Sequence, residues 1–489
     1  MLHTLEEHII VKRNLADCFA YLRDFSTIEQ WDPSVFSARK LTAGPVAIGC
    51  QYQLELKMPG GKQIAMHYTQ LAIKEHELLV LEGRGANFTA LDTLHFKAIN
   101  AETTEIHYRA ELNFQDLSSP AYSLLKPILN RIGKNAARGL KQALEIPETP
   151  KQRFKDRISD HLLLPAALNF GRRGYLRQAR KSHASRLDGK VIAITGPTAG
   201  LGLSAASELS RLGATLILIG RDNSRLIQSA KQIMDFSGCR KNQLSRYETD
   251  FSDLNDTANI GRQISAEHPC IDVLINNAGA LFNEREVSDD GFERSIAVNF
   301  LAPILLTKVL SPSLHKDSRV INVVSGGLYT QGLALDDMQF CKPPYNGSKA
   351  YARAKRALLT MSEHTETAAI VHNMHPGWAA TPGLAKSLPA FNKALRPLLR
   401  DSRMGADTMV WLASAPELAN YRQTRLWFDR HVHTDAVLPG TRSTKSDIEK
   451  LRQWSNDALF KYLKPKEHGQ FPTQESADFQ FLSTVKGVN

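Results

Sequence analysis

The sequence predicts two domains of different fold class, an α+β domain followed by an α/β domain with a doubly wound parallel sheet. Two patterns indicate this division. Up to about residue 114, short alternating apolar and polar segments are separated by turn signals, and a long amphipathic segment follows. From about Leu187, β-branched runs alternate with helical patterns, which is typical of a parallel sheet covered by helices on both faces. With 489 residues, the chain is long enough for about two to four domains.

The first domain begins with an apolar strand near residues 8–11 and a helix near 15–25. Alternating segments then predict an antiparallel sheet with strands at 52–58, 63–74, 78–84, 89–98 and 105–114. Residues 121–145 carry apolar side chains at spacings of three and four, which predicts a long amphipathic helix despite Pro127. A strongly curved sheet closed over one such helix can enclose an apolar cavity.

This order of elements, with an early segment that ends in Trp31, Asp32 and Pro33, resembles the helix-grip family of START-like and polyketide-cyclase-like (SRPBCC) lipid-binding domains. The resemblance covers residues 1–146. It implies that a hydrophobic ligand binds between the sheet and the long helix. It nominates no ligand-contacting residue, because few positions of that family have a constant identity.

Most of the net charge of +11 lies in one short stretch, residues 151–190, which hold 11 basic and three acidic residues. We interpret 147–186 as a basic amphipathic connector. Because apolar burial and attraction to anionic lipid add together, 160–186 is a candidate for peripheral membrane contact. The alternative is a helix that packs on its own domain and keeps a solvated basic face. A nucleic-acid partner is disfavoured, since few aromatic residues, Phe170 and Tyr175 among them, are interleaved with these charges.

The composition, 42% hydrophobic and 23% charged, predicts a globular protein, and no apolar run reaches the roughly 18 residues that span a bilayer. The N-terminus lacks the basic region and apolar core of a signal peptide, so we expect a cytoplasmic protein. The cysteines are scattered and predict neither a disulfide scaffold nor a metal site. They are Cys18, Cys50, Cys239, Cys270 and Cys341.

A glycine-rich turn joins the first strand of the second domain to its first helix. Its sequence is TGPTAGLG, and the predicted cofactor contacts in it are Thr195, Gly196, Gly200, Leu201 and Gly202. Glycines at this spacing allow a tight turn and a close approach of backbone to a pyrophosphate, and the helix N-terminus offers N–H groups to the anion. The position between a strand and a helix supports a dinucleotide site.

The end of the next strand indicates which dinucleotide binds. An acidic residue there would hydrogen-bond a free ribose 2′-hydroxyl, but this chain has Arg221. A guanidinium pairs with a 2′-phosphate, so NADP(H) is favoured. Asp222, one position further, keeps NAD(H) as the less favoured alternative.

These residues, together with NNAG at 276–279, resemble the short-chain dehydrogenase/reductase family over about 187–429. The resemblance implies a Rossmann-type sheet. It also implies that Asn299, in AVNF, holds a proton-relay water. The further cofactor contacts that it implies are Asp250, Asn277, Ala278, Gly279, Pro376 and Gly377.

Reduction of a carbonyl by hydride transfer requires a proton donor, and a tyrosine can serve near neutral pH if a nearby cation lowers its pKa. A lysine four residues later on a helix faces the same way. Two such pairs occur, Tyr345 with Lys349 and Tyr351 with Lys355. We favour the second pair, because the first lies at a loop-to-helix junction. Tyr345 is then expected to be a structural or substrate-side residue.

Ser325, after a predicted strand at 320–324, completes the proposed set with Tyr351, Lys355 and Asn299. Its distance in sequence from Tyr351 resembles the retinol-dehydrogenase-like branch of the family. In that family the lysine also contacts the cofactor ribose. Members often pair through the helices that carry the asparagine and the tyrosine, and long extensions in this chain could cover that surface, so the oligomeric state stays open.

We therefore predict a Rossmann-type domain at 187–440 and a polar tail at 441–489 with one helix at 446–463. The predicted function is NADP(H)-dependent interconversion of a lipophilic carbonyl and an alcohol, with an attached lipid-binding domain. The alternative is a lipid-binding or transfer protein whose Rossmann-type domain binds NADP(H) without turnover.

Overall fold

The computed structural model describes residues 1–42, 45–57, 63–115, 118–145, 169–177, 186–381, 383, 393, 395–418 and 421–464. Within these residues, the N-terminal domain is one antiparallel sheet with the strand order β1-β7-β6-β5-β4-β3-β2. Its strands are β1 (Leu2–Val11), β2 (Val35–Lys40), β3 (Gln51–Lys57), β4 (Gln63–Lys74), β5 (Leu78–Arg84), β6 (Phe88–Asn100) and β7 (Thr103–Phe114). Its helices are α1 (Leu15–Arg23), α2 (Ile28–Trp31) and α3 (Ser119–Leu144).

Helix α3 packs along the sheet and buries the C-terminal part of the predicted apolar stripe, from Leu129 to Leu144, whereas Leu124 and Ile128 nearer its start are 80% and 39% exposed. Gly139 allows the closest approach, because a β-carbon there would lie 1.9 Å from the carbonyl oxygen of Trp31. The domain therefore has the helix-grip fold. Strand β2 and helix α2 were not among the predicted elements, since both are short and precede a loop.

The second domain is built on a sheet with the strand order β10-β9-β8-β11-β12-β13-β14-β15, in which only the pair β14 and β15 is antiparallel among the described strands. The strands are β8 (Val191–Thr195), β9 (Thr215–Gly220), β10 (Leu244–Glu248), β11 (Ile271–Asn276), β12 (Leu314–Val323), β13 (Ile370–Met374), β14 (Leu426–Phe428) and β15 (His431–His433). The order reverses between β8 and β11. A crevice at such a switch point, outside the carboxyl ends of the strands, is where doubly wound sheets bind ligands.

Helices cover both faces of this sheet. They are α4 (Arg172–Arg177), α5 (Gly200–Arg211), α6 (Asn223–Ser237), α7 (Leu254–Glu267), α8 (Arg294–Ile296), α9 (Ala302–Val309), α10 (Gly347–Ser362), α11 (Ser402–Ser414) and α12 (Lys445–Leu463). A π-helical turn, Ala297–Leu301, joins α8 to α9. The sheet is buried between its helices, and β8 and β9 are almost wholly inaccessible, which explains their unbroken apolar sequences.

The C-terminal helix α12 packs against the second domain, on α7, α9 and α10. Leu451, Leu459 and Tyr462 are buried in the same core cluster as Phe300, and the ring of Trp454 stacks on Phe300 at 6.3 Å. We propose that this helix belongs to the Rossmann-type domain rather than to a separate tail. It lies on the helices that follow Asn299 and carry Tyr351. The rest of the predicted tail, 465–489, lies outside the described residues.

The predicted connector is described only at residues 169–177 and 186, so most of the candidate membrane segment 160–186 lies outside the described residues. Its described part packs on the second domain, where Tyr175 is only 4% exposed. Among the residues that the structure describes, no helix combines the length and hydropathy required to cross a bilayer.

Ion pairs join the two domains. Arg186 donates to Asp24 at 2.9 Å, and Arg211 donates to Glu29 at 2.5 Å. The second pair is largely buried, with side-chain exposures of 11% and 10%. Because breaking a buried pair leaves an unpaired charge behind, these contacts hold the domains in a defined relation.

Candidate active site

The predicted cofactor loop lies at the carboxyl end of β8, at the switch point of the sheet. Gly196 and Gly200 have φ values of 66° and 53°, which a residue with a β-carbon rarely adopts. A β-carbon on Gly202 would lie 2.1 Å from the carbonyl oxygen of Gly196. Ala199, at the N-cap of α5, has no side chain that could cap the helix, so the first turn presents its N–H groups to an external acceptor. Leu201 instead packs toward Gly405 of α11.

Thr195 and Asn277 tie this loop to the neighbouring NNAG turn. The Thr195 hydroxyl oxygen accepts from the backbone N–H groups of Asn277 and Ala278 at 3.0 and 2.9 Å. The Asn277 amide donates to the carbonyl oxygens of Thr195 and Gly196 at 2.9 and 3.2 Å. Both turns are therefore held as one rigid floor, and the backbone cradle fits a dinucleotide pyrophosphate.

The adenosine end of the predicted site lies at β9 and β10. Arg221 is exposed directly after β9. The carboxylate of Asp222 accepts from the N–H of Arg225 at 3.0 Å and caps helix α6, so this carboxylate already has a structural partner. Asp250 is exposed and accepts from the N–H and hydroxyl of Ser252 at 2.9 and 2.8 Å.

Asn299 and Lys355 converge on the NNAG turn. A β-carbon on Gly279 would lie 2.9 Å from Asn299 Oδ1 and 3.3 Å from Lys355 Nζ. Asn299 lies in the π-helical turn, donates to the carbonyl oxygens of Ala280 and Ser295, and accepts from the N–H of Ala280. The asparagine amide thus anchors the turn beside the lysine.

Ser325 and Tyr351 face each other across the end of β12. Ser325 is close enough to the Tyr351 hydroxyl to lower the pKa of the tyrosine, and Ser325 Oγ accepts from the N–H of Gly327 at 3.3 Å. Lys355, one helical turn after Tyr351, holds its ammonium 5.9 Å from the centre of the tyrosine ring and donates to the carbonyl oxygen of Val323 at 2.8 Å. The structure thus brings the favoured tyrosine–lysine pair, the serine and the asparagine to one place.

Burial acts on both members of this pair. It raises the pKa of Tyr351 to about 12, although the hydrogen bond from Ser325 opposes this, and it lowers the pKa of Lys355 to about 7. A bound anion or polar ligand next to Lys355 would favour its charged form, which in turn favours the tyrosinate.

The buried lysine predicts a pH-dependent stability. Its ordinary pKa is 10.5 and its folded value is about 7, so between these values the unfolded chain binds more protons. Relative to Lys355→Met, the unfolding free energy of the wild type should therefore rise by about 1.4 kcal/mol per pH unit as the pH increases across this window, and the difference should be constant below and above it. Denaturant titrations without cofactor at both ends of the window measure this. A difference that is independent of pH would contradict it.

The competing pair, Tyr345 and Lys349, is arranged differently. The Tyr345 hydroxyl donates to the Glu293 carboxylate at 2.9 Å, while Lys349 is exposed. Burial and this carboxylate raise the pKa of Tyr345 to about 12. Both residues line a cleft with Phe340, and neither Ser325 nor Tyr351 contributes to its lining.

The segment with Pro376 and Gly377 follows β13, the strand that pairs with β12. Gly377 has a φ of 74°, and its N–H donates to His375 Nδ1 at 3.0 Å. Burial lowers the pKa of His375 to about 3, which keeps the ring neutral and able to accept this bond. Phe170 packs on His375 with ring centres 4.6 Å apart. The sequence did not indicate that Phe170 lies near the site, because it precedes the nearest catalytic candidate, Asn299, by 129 residues.

One cluster of possible metal ligands was not visible in the sequence. Glu6, His8 and His107 have ligand atoms within 4.8 Å of one another on the exposed face of the N-terminal sheet. Strand pairing places His8 opposite His107, which no local spacing could indicate. His107 pairs with Glu6 at 2.7 Å and His8 with Glu105 at 3.2 Å, so His–carboxylate pairing accounts for the cluster.

Comparison with known proteins agrees with this organisation. Residues 190–390 match the family model described as short chain dehydrogenase, and residues 3–145 match the one described as polyketide cyclase / dehydrase and lipid transport. Human dehydrogenase/reductase SDR family member 12 is 35% identical over 272 residues, which are 54% of this chain and 85% of the relative. The chain belongs to the short-chain dehydrogenase/reductase family.

Two further relatives of this short-chain dehydrogenase/reductase are informative. A putative daunorubicin C-13 ketoreductase from Streptomyces is 33% identical over 47% of this chain and 80% of the relative. Mouse retinol dehydrogenase 14 is 32% identical over 50% of this chain and 78% of the relative. All three alignments cover about half of the chain, so the pairing with a helix-grip domain is a separate feature that the second family model identifies.

Proposed function

We propose that this chain is an NADP(H)-dependent oxidoreductase that interconverts a lipophilic carbonyl and an alcohol, with an N-terminal domain that binds a hydrophobic ligand. The observation that carries the proposal is the convergence of Ser325, Tyr351 and a buried Lys355 at the switch point of the sheet. Lys355 is only 2% exposed, and burial of its charge costs folding free energy. Buried ionisable groups with shifted pKa values cluster at functional sites.

In the proposed reaction, the cofactor and each side chain have separate roles. When bound, a reduced nicotinamide supplies the hydride that forms the new C–H bond. Tyr351 gives its hydroxyl proton to the carbonyl oxygen, and Ser325 donates a hydrogen bond to the same oxygen. The ammonium of Lys355 stabilises the resulting tyrosinate, and a water held by Asn299 returns the proton. The reverse direction uses the same groups, with Tyr351 as the base.

Arg221 supports a preference for NADP(H), because its guanidinium is exposed beside the adenosine end and Asp222 is committed to capping α6. We expect Arg221→Glu to weaken NADPH binding about 10- to 100-fold, since charge-assisted hydrogen bonds contribute about 1.5–3 kcal/mol. NADH binding should change far less. Fluorescence titration of both cofactors tests this, with Arg225→Glu on the next helical turn as the matched control. Equal losses for both cofactors would contradict the preference.

A lipophilic substrate is supported by two observations. Among the relatives is a retinol dehydrogenase, and the N-terminal domain matches a lipid-transport family model. A domain that binds the substrate and is tethered to the enzyme raises its local concentration. The ion pairs of Arg186 and Arg211 with that domain show that the two domains are in contact.

The second candidate function is lipid binding or transfer without turnover, which the match of residues 3–145 favours. One experiment separates the two. Purified full-length protein is given NADPH or NADH and a panel of propanal, decanal, benzaldehyde and all-trans-retinal, and oxidation of the cofactor is followed. Turnover of the larger carbonyls with NADPH supports the oxidoreductase. Tight NADPH binding with displacement of a fluorescent fatty acid, but no turnover, supports the second function.

A further inference from the structure

The described part of the connector lies across the catalytic domain at the candidate active site. The N–H of Trp378 donates to the carbonyl oxygen of Phe170 at 2.8 Å. Arg400 donates to the carbonyl oxygens of Phe170 and Asn169 at 2.8 and 2.9 Å. Residues 169–177, which we call the strap, are therefore attached by their backbone to the segment that follows Gly377.

The attachment is close enough to dictate residue size. A β-carbon on Gly377 would lie 2.6 Å from the carbonyl oxygen of Phe170 and 2.4 Å from Arg400 Nε. A β-carbon on Gly171 would lie 2.7 Å from the carbonyl oxygen of Leu398. The strap is thus packed in contact with the catalytic domain.

The side chain of Phe170 reaches the residue next to the candidate serine. A β-carbon on Gly326 would lie 3.2 Å from Phe170 Cε2, and Gly326 directly follows Ser325. The Phe170 ring also lies 5.7 Å from the ring of Trp378 and 6.4 Å from that of Tyr329. Unlike Tyr329, which is 8% exposed, Phe170 and Trp378 are only partly buried.

We infer that Phe170 of the strap is a specificity-determining residue, which forms an aromatic wall of the substrate site with Trp378 and selects bulky, conjugated or aromatic carbonyl compounds. The inference rests on the proposed function and adds its substrate class. A flat apolar group gains from stacking against aromatic faces as well as from burial. A small aliphatic carbonyl reaches Ser325 and Tyr351 without this wall.

Phe170→Ala in the full chain tests the inference. We expect kcat/KM for all-trans-retinal to fall about 10-fold or more, kcat/KM for propanal to stay within a factor of about two, and the Kd of NADPH to stay unchanged. Phe170→Leu should restore part of the loss for decanal but not for all-trans-retinal. Phe236→Ala is the matched control, because Phe236 is also partly buried but lies between the domains. Equal losses for all carbonyls, or none, would overturn the inference.

A second readout does not depend on turnover. In Phe170→Cys, NADPH should slow alkylation of the introduced thiol by N-ethylmaleimide several-fold, whereas the native, exposed Cys270 serves as the internal control in the same sample. Protection without turnover of any carbonyl would refute the proposed activity but would keep the strap beside the bound cofactor. If NADPH gives no protection and Phe170→Ala leaves the ratio of kcat/KM for all-trans-retinal and propanal unchanged, the strap does not line the substrate site.

Discussion

Tyr351→Phe should reduce kcat for carbonyl reduction by roughly 100- to 10,000-fold, the range that a positioned proton donor contributes. The variant retains the ring that packs beside Lys355 and loses only the hydroxyl that faces Ser325. The Kd of NADPH and the thermal stability should therefore change little. Steady-state kinetics with the best carbonyl of the panel, combined with cofactor titration, measure the effect.

Tyr345→Phe is the control for this experiment. Its hydroxyl donates to Glu293, and the lysine four residues later is exposed, so we expect kcat to remain close to that of the wild type. The reverse result, with loss of activity in Tyr345→Phe and retention in Tyr351→Phe, would move the catalytic role to the first pair. The two variants therefore decide which tyrosine–lysine pair is used.

Asp429→Ala should destabilise the catalytic domain by about 3–5 kcal/mol, the usual cost of removing one partner of a buried ion pair. Arg400 and Asp429 are 1% and 5% exposed, and Arg400 Nη2 donates to Asp429 Oδ2 at 2.9 Å. Without the carboxylate, the guanidinium remains buried and keeps its hydrogen bonds to the carbonyl oxygens of Asn169 and Phe170, which do not neutralise its charge. Calorimetry measures the loss of stability as a lower unfolding temperature. The unfolding transition of the catalytic domain is the one that NADPH shifts to a higher temperature.

Asp317→Ala is the matched control in the same domain. Asp317 pairs with Arg422 at 2.8 Å, but both side chains are about half exposed, at 55% and 49%. Water readily replaces an exposed partner, so the unfolding temperature of the catalytic domain should not change. If Asp429→Ala also leaves the unfolding temperature of the catalytic domain unchanged, the buried pair does not hold the strap to the domain.

Local patterns determined most of the secondary structure. Strands β4 and β5 have the predicted bounds, because two-residue alternation is a strong signal. Strand β2 was missed, since its sequence VFSARK does not alternate regularly between apolar and polar residues and its register shifts opposite β3. The N-terminal fold class was predictable because a long amphipathic helix after several alternating segments has few ways to bury its apolar face.

In the candidate site too, local spacing predicts some contacts and not others. Tyr351 and Lys355 lie four residues apart on one helix, so their proximity follows from helical geometry alone. The convergence of Ser325 and Asn299 with them was predicted through family resemblance. No spacing indicated that Phe170 would approach Gly326, or that His8 would lie opposite His107.

The sequence by itself determined the two fold classes, the glycine-rich turn and the candidate catalytic side chains, because each of these depends on residues close together in the chain. The tertiary structure decided which neighbours these residues have. It places α12 over the helices beside the site and buries the Arg400–Asp429 pair. It also lays the strap against Gly377. These contacts join segments far apart in sequence, and their free energy depends on burial and geometry that exist only in the folded chain.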